Sequence, residues 1–359
     1  MRPKVSIVVA IYNVAQYIED CVRSLCRQTL DDIEIILVDD CSPDNSIELA
    51  MRVLEEFPHR KPQVKVVRHE KNTGSKEVRK DGVAQADGEY IIHVDGDDYA
   101  DERMAELMYS KAVETDADIV ICDFWWYHGN SRRYIVSVPK DALSDSDSLK
   151  DATFSNRDCP MIWCRMIRRT LFQNEGMIWP VANSAEDVVI TFSVTFLAQK
   201  VSYLAEPLYY YRENPHSNTN TNDVGHIITK TANRKENISL LEQFYDKAGI
   251  AQKHPHSITM LKIYVKNDVL HMKGSWRDVR RLWRDTYPEL NKVLLFGNKD
   301  YRSTYREKIW VIMMLLGMYP RCKRIMTARR LRPAAIWLKG ISIDPHTEKK
   351  RRSGYRPAA

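Results

Sequence analysis

Three carboxylates crowd into four residues at Asp95-Gly96-Asp97-Asp98. Like charges this close repel unless a cation or donated hydrogen bonds compensate them. Hard oxygen ligands suit Mg²⁺ or Mn²⁺, which hold a few protein carboxylates and complete their shell with water and phosphate oxygens. Gly96 permits a tight turn and a close approach of backbone to ligand. The same four residues also read as an acidic turn capping the helix that starts near Asp101. Two further acidic pairs stand at Asp39-Asp40 and Glu186-Asp187. Glu186-Asp187 opens the apolar segment VVITFSVTFL, where acids favour a helix start through the macrodipole alone. Asp187 there could equally take a proton from an attacking hydroxyl.

Missing motifs narrow the chemistry. There is no GxxxxGK[ST], and the first strand–helix turn, Ala10-Ile11-Tyr12-Asn13, has no GxGxxG. A P-loop NTPase and a dinucleotide dehydrogenase are thereby disfavoured. Phosphate would have to be held through a metal and basic side chains.

These residues need a frame, and the first 120 residues supply one by alternating strand and helix patterns. Residues 5–11 (VSIVVAI), 33–38 (IEIILV), 64–67, 90–94 and 119–122 are short apolar runs, as expected for strands buried on both faces. Residues 17–25, 46–57, 76–86 and 104–114 carry helical periodicity between them, with Asn13 a candidate cap for the first helix. Strands separated by helices imply crossovers and a mainly parallel sheet flanked by helices, an α/β fold. Parallel sheets bind ligands at the carboxyl ends of their strands. Tyr12-Asn13, Asp39-Asp40 and Asp95-Gly96-Asp97-Asp98 all fall at such ends, so three units aim oxygen-rich groups at one rim. His93, just before the acid cluster, reads as a packed strand residue.

Five segments in order carry a resemblance: VSIVVAIYN (5–13), EIILVDDCSPDNS (34–46), NTG…RKDG (72–82), GEYIIHVDGDD (88–98) and AEDVVITF…EPLYYYR (185–212). The set, covering about residues 4–212, resembles the family 2 glycosyltransferases, in the branch that builds bacterial capsular, exopolysaccharide and cell-wall glycans. The resemblance implies a GT-A fold. It further implies an inverting transfer from a nucleotide-sugar, a UDP-sugar first, to a hydroxyl on a glycan or lipid-linked acceptor, with Mn²⁺ or Mg²⁺. It implies a nucleotide-sugar-binding half (1–122) and an acceptor-binding and catalytic half (123–225); residues 226–359 read, from their own helical spacing and composition, as a C-terminal helical region with a basic tail. By position, Tyr12 would stack on the base with Ala10 beside it. Asp40 would read the uracil edge, and Arg79 would lie near the base and phosphates. Asp95 would sit near the ribose and metal, Asp97 would bind the metal, and Asp187 would be the catalytic base. Chemistry agrees with that last role, because inverting transfer needs one base and no carboxylate nucleophile. Ser75-Lys76-Glu77-Val78, Lys80 and Ala10 depart from the family pattern and bear on donor preference. A catalytically inactive sugar-nucleotide binder and a sugar nucleotidyltransferase are the rivals. The second would need a glycine-rich basic loop after the first strand, and the first sits poorly with intact Asp97 and Asp187.

The C-terminal third differs in composition. Residues 321–359 hold twelve Lys/Arg against two acids, so the net +6 of the chain is a local +10 over a body of −4. No nucleic-acid module accompanies this charge. Residues 308–319 (KIWVIMMLLGMY) are too short to span a bilayer. They suit a core helix of a small bundle or, with the basic residues that follow, peripheral membrane association through 306–352. Seven scattered cysteines without zinc spacing, and no signal-peptide pattern, point to a cytoplasmic protein, with the inner face of the cytoplasmic membrane as the alternative setting. The polar run 213–225, with His216 a candidate phosphate contact, reads as a boundary or loop.

Overall fold

The computed structural model describes residues 2–128, 131–214, 223–271, 273, 275–297 and 305–317. The strands are β1 (Val5–Ile11), β2 (Ile33–Asp39), β3 (Val64–Arg68), β4 (Tyr90–Asp95), β5 (Tyr99–Ala100), β6 (Ile119–His128), β7 (Ser131–Ile135), β8 (Arg165–Arg168) and β9 (Val201–Arg212). The helices of the sheet region are α1 (Ile18–Cys26), α2 (Ser46–Glu56), α3 (Ser75–Ala84), α4 (Met104–Thr115), α5 (Ser146–Phe154), the one-turn α6 (Arg169–Phe172) and α7 (Glu186–Leu197). Beyond them come α8 (Val224–Lys247), the one-turn α9 (Ile250–Lys253), α10 (Ser257–Asp268), α11 (Trp276–Asp285), α12 (Leu290–Phe296) and α13 (Tyr305–Leu316).

The strands form one sheet in the order β3-β2-β1-β4-β8-β6-β9-β5, with β7 paired to β6. The first four strands are parallel, as the alternating pattern predicts. β1 and β2 are apolar and almost wholly buried because helices cover both faces. The short β8 then enters antiparallel between β4 and β6, and β9 returns parallel to β6. One hydrophobic core runs from Val5 to Tyr209, through both the parallel and the mixed part.

Register levels the rim. Ala10 lies opposite Val38 on β2 and Asp95 on β4, and Ile11 lies opposite Asp39. Asn13 does not cap α1, which begins five residues later; it adopts φ 55, a left-handed turn that Asn tolerates.

α7 is apolar on every side, and the packing explains it. Ile190 and Val194 join the sheet core, while Val188, Val189 and Phe192 join a second core with Ile238, Leu241 and Tyr245 of α8 and Leu261 and Val265 of α10. The helix that starts at Glu186-Asp187 is thus held between sheet and C-terminal helices.

Candidate active site

The acid cluster closes β4 by a turn that only glycine fits. Gly96 N–H donates to the Ala10 carbonyl at 3.0 Å, and a Cβ on Gly96 would meet that oxygen at 2.8 Å. The three carboxylates beside it then part ways. Asp98 is buried: its Oδ2 accepts from the Tyr209 hydroxyl at 2.7 Å and its Oδ1 from the Arg212 backbone N–H at 2.7 Å. Burial, with Asp97 and Asp95 nearby, holds its pKa well above the carboxylate range. Asp97 accepts from the Asn214 side-chain amide at 3.0 Å, and burial and Asp95 push its pKa up as well. Asp95 turns the other way, its Oδ1 accepting from Arg79 Nη2 at 3.0 Å.

Arg79 is the centre of the arrangement. It sits on α3, 4% exposed, and meets carboxylates from two elements. Besides Asp95 on β4, its Nε lies 3.1 Å from Asp187 Oδ1 and 4.0 Å from Glu186 Oε1 at the start of α7. The Asp187 contact is a charge contact without hydrogen-bond alignment, since neither atom completes a hydrogen bond; Arg79 Nη1 also finds no acceptor among the described residues. Burial opposes the guanidinium charge, but Asp187, Asp95 and Glu186 together raise the Arg79 pKa further. Asp187 is pushed up to about 7: burial raises it, Arg79 pulls it down, and Glu186 and Asp95 raise it again. The residue before this pair, Ala185, has φ 63, a left-handed strain that L-residues avoid and that is stored here at the mouth of the site.

Asp40 is spent on its own loop. Its Oδ1 accepts from His69 Nδ1, Thr73 N–H and the Thr73 hydroxyl, each at 2.8 Å, and its Oδ2 accepts from Gly74 N–H at 2.8 Å. This fixes the turn into α3 and so the position of Arg79. Gly74 has φ 87 and packs so closely on Asn183 that a Cβ would overlap the side chain. Tyr12 stands at the rim, 43% exposed, one residue past β1. Ala10 is half-buried beneath it, between Val38 and Asp95. His93 is a buried strand residue whose ring meets Phe172 edge-on at 6.2 Å.

The structure therefore joins Asp95, Arg79, Glu186 and Asp187 directly, sets Asp97 beside Asn214, and leaves Tyr12 open at the edge. No three His, Cys, Asp or Glu side chains converge as a metal cage among the described residues. The donor set nevertheless fits a divalent ion that keeps most of its shell for a diphosphate: Asp95 and Asp97 are hard carboxylates, and burial with Asp95 nearby raises the Asp97 pKa, a charge cost that a cation would relieve. His216 and residues 298–304 and 318–359 lie outside the described residues.

Several residues of the site were not singled out from sequence. Arg212 donates from Nε to the Asp97 carbonyl at 2.6 Å and from Nη1 to Asp20 at 2.9 Å, and it lies over the Tyr17 and Tyr99 rings. Asn237, fully buried on α8, accepts from Val181 and Ala182 N–H and donates to the Ala182 and Ser184 carbonyls, gripping the approach to Asp187 from outside the sheet. β9 ends in three buried residues, Pro207–Tyr209, followed by three half-buried ones, Tyr210–Arg212, so no alternation pointed to the first, and no signal existed for the second.

Comparison with known proteins places this geometry. The family model described as Glycosyl transferase family 2 matches residues 6–176. The uncharacterized glycosyltransferase EpsJ of Bacillus subtilis is 38% identical over 228 residues, 61% of this chain and 64% of its own length. The glycosyltransferase GlyG of Streptococcus pneumoniae is 32% identical over 221 residues, 59% of this chain and 71% of its own. The match thus spans a little under two thirds of EpsJ and somewhat more of GlyG. In fold, the crystal structure of Staphylococcus aureus TarS 1–349 in complex with UDP-GlcNAc superposes with a TM-score of 0.52, at 17% identity over 89% of this chain and 83% of that one. The mixed sheet flanked by helices is the GT-A fold, and the chain belongs to the family 2 glycosyltransferases.

Proposed function

We propose that this chain transfers a sugar from a UDP-sugar to an acceptor hydroxyl on a glycan or lipid-linked acceptor, with inversion at the anomeric carbon. The observation that carries the reading is the Arg79 bridge. One buried guanidinium ties Asp95, on the donor side, to Asp187, at the head of a helix packed against the C-terminal helices. The carboxylate proposed as base and the one proposed to face the diphosphate thereby share one cation, which suits a transfer between two bound substrates.

Asp187 is the general base in this reading. The acceptor hydroxyl proton passes to its carboxylate as the oxygen bonds to the anomeric carbon, and the bond to the β-phosphate oxygen breaks with its electron pair leaving on UDP. A pKa of about 7 suits a base that is charged yet basic near neutral pH. Asp97 and Asp95 would hold Mn²⁺ or Mg²⁺, which supplies charge neutralisation of the leaving diphosphate when bound. Arg79 Nη1 has a hydrogen left to offer a phosphate oxygen. Tyr12 offers its exposed ring to the base, above Ala10. Asp40, buried and holding Thr73 and Gly74, would act on the base through the loop it fixes. Residues 1–122 would bind the donor, 123–225 the acceptor, and 226–359 would brace them. The complex of TarS with UDP-GlcNAc, a protein of the same fold, supports the choice of UDP.

A thermal-shift panel of UDP-, GDP- and dTDP-sugars, with and without Mn²⁺, tests it. A donor at one hundred times its Kd stabilises by about 2.7 kcal/mol. The reading predicts a shift for UDP-sugars that grows with Mn²⁺. A shift for GDP- or dTDP-sugars alone, or none for any, contradicts it.

A further inference from the structure

α13 is amphipathic in an unusual sense, apolar on both faces. Val311 and Met314 are buried in a third hydrophobic core with Trp283 of α11 and Leu290 and Leu294 of α12. Ile309, Ile312 and Leu316 point to solvent, exposed by 36%, 46% and 65%. At 3.6 residues per turn the two sets lie about 160° apart around the helix. The buried face meets the core-helix alternative, and the exposed face is the one an interface helix would use. The stripe is not a frayed end, because the Arg280 guanidinium of α11 donates to the Met314 and Leu315 carbonyls and fixes the helix in place. Phe296, closing the neighbouring α12, is 79% exposed.

Charge beside this stripe identifies what covers it. On α11, Arg277, Arg281 and Arg284 are exposed at the spacing of one helix face, next to the Arg280 that holds α13. Residues 321–359, which follow α13 closely, carry twelve Lys/Arg and two acids. A second protein would satisfy the apolar stripe without calling for so much positive charge, and nucleic acid would satisfy the charge without the stripe. An anionic bilayer satisfies both, with apolar side chains at the acyl boundary and cations at the headgroups. No helix of the described residues is long and apolar enough to cross a membrane, so the contact would lie in the interface plane.

We propose that the α11–α13 surface docks the protein on an anionic lipid surface. Full-length protein would be floated with phosphatidylcholine vesicles containing or lacking phosphatidylglycerol. Retention on the anionic vesicles only, weakened by salt, is expected. The exposed double variant I312S/L316S should lose roughly tenfold in retention, as two large apolar side chains leave the interface. Its thermal shift with UDP and Mn²⁺ should match wild type, which shows that the variant is folded and keeps docking separate from the transfer reading. Equal retention on both vesicles, no retention, or retention unchanged in I312S/L316S overturns the proposal. So does a concentration-dependent oligomer that I312S/L316S abolishes without any vesicle binding.

Discussion

Arg79 shows how far a residue's neighbours can redefine it. Its place in the NTG…RKDG motif was legible in the sequence, but its carboxylate partners were not. Asp95 is 16 residues away and Asp187 more than a hundred, and only the fold brings them to one guanidinium. The consequence is a testable coupling. Activity that needs ionised Asp187 rises with pH towards a midpoint of about 7 in the free enzyme. Because Arg79 holds that pKa down, R79M should move the alkaline-rising limb to higher pH and cut kcat/KM at pH 7 by about tenfold or more. R79K, which keeps the charge, should shift it less. A pH–rate profile of the three proteins decides, and an unmoved limb in R79M separates Arg79 from the base. For stability the sign is reversed. Asp187 has a folded pKa above its unfolded one, so its contribution is complete in acid and lost as pH rises through about 7.

The β4–β9 junction explains why four adjacent residues have different fates. β4 and its parallel neighbours were readable because apolar runs alternate with helical periods. The insertion of β8 between β4 and β6 was not, since four residues of mixed character, Arg165–Arg168, carry no period that says where they pair. Nor could sequence show that Asp98 is structural, because its partners Tyr209 and Arg212 lie over a hundred residues on. Tyr209 uses one hydroxyl twice, donating to Asp98 and accepting from the Asp95 N–H at 3.1 Å. Y209F should therefore strand two buried groups and cost about 1–3 kcal/mol. Denaturant unfolding reads this directly. A loss below the error of the midpoint would mean that water replaces the hydroxyl and that the junction is looser than its geometry.

At the scale of the whole molecule, Asp187, the proposed base, stands between the sheet core and the C-terminal helices, and the outer of these was the least legible. Helical spacing after residue 226 announced helices but not their service to the site. α8 grips residues 181–184 through Asn237 while α7 packs on both cores. N237A should cost about 2–3 kcal/mol through four lost hydrogen bonds. It should lower kcat with little change in donor KM, because the segment it holds leads to Asp187 and not to Tyr12 or Asp40. Steady-state kinetics with calorimetry would show this, and a rise confined to donor KM would contradict it. We propose Asp97 and Asp187 as the two working carboxylates of a metal-assisted transfer. UDP release from a UDP-sugar, measured with and without Mn²⁺ for wild type, D97N and D187N, reads both roles at once. Mn²⁺-dependent turnover is expected in wild type, with a loss of about 10²-fold or more in each variant and D187N still stabilised by UDP. Turnover with Mn²⁺ that survives in both variants sinks the proposal.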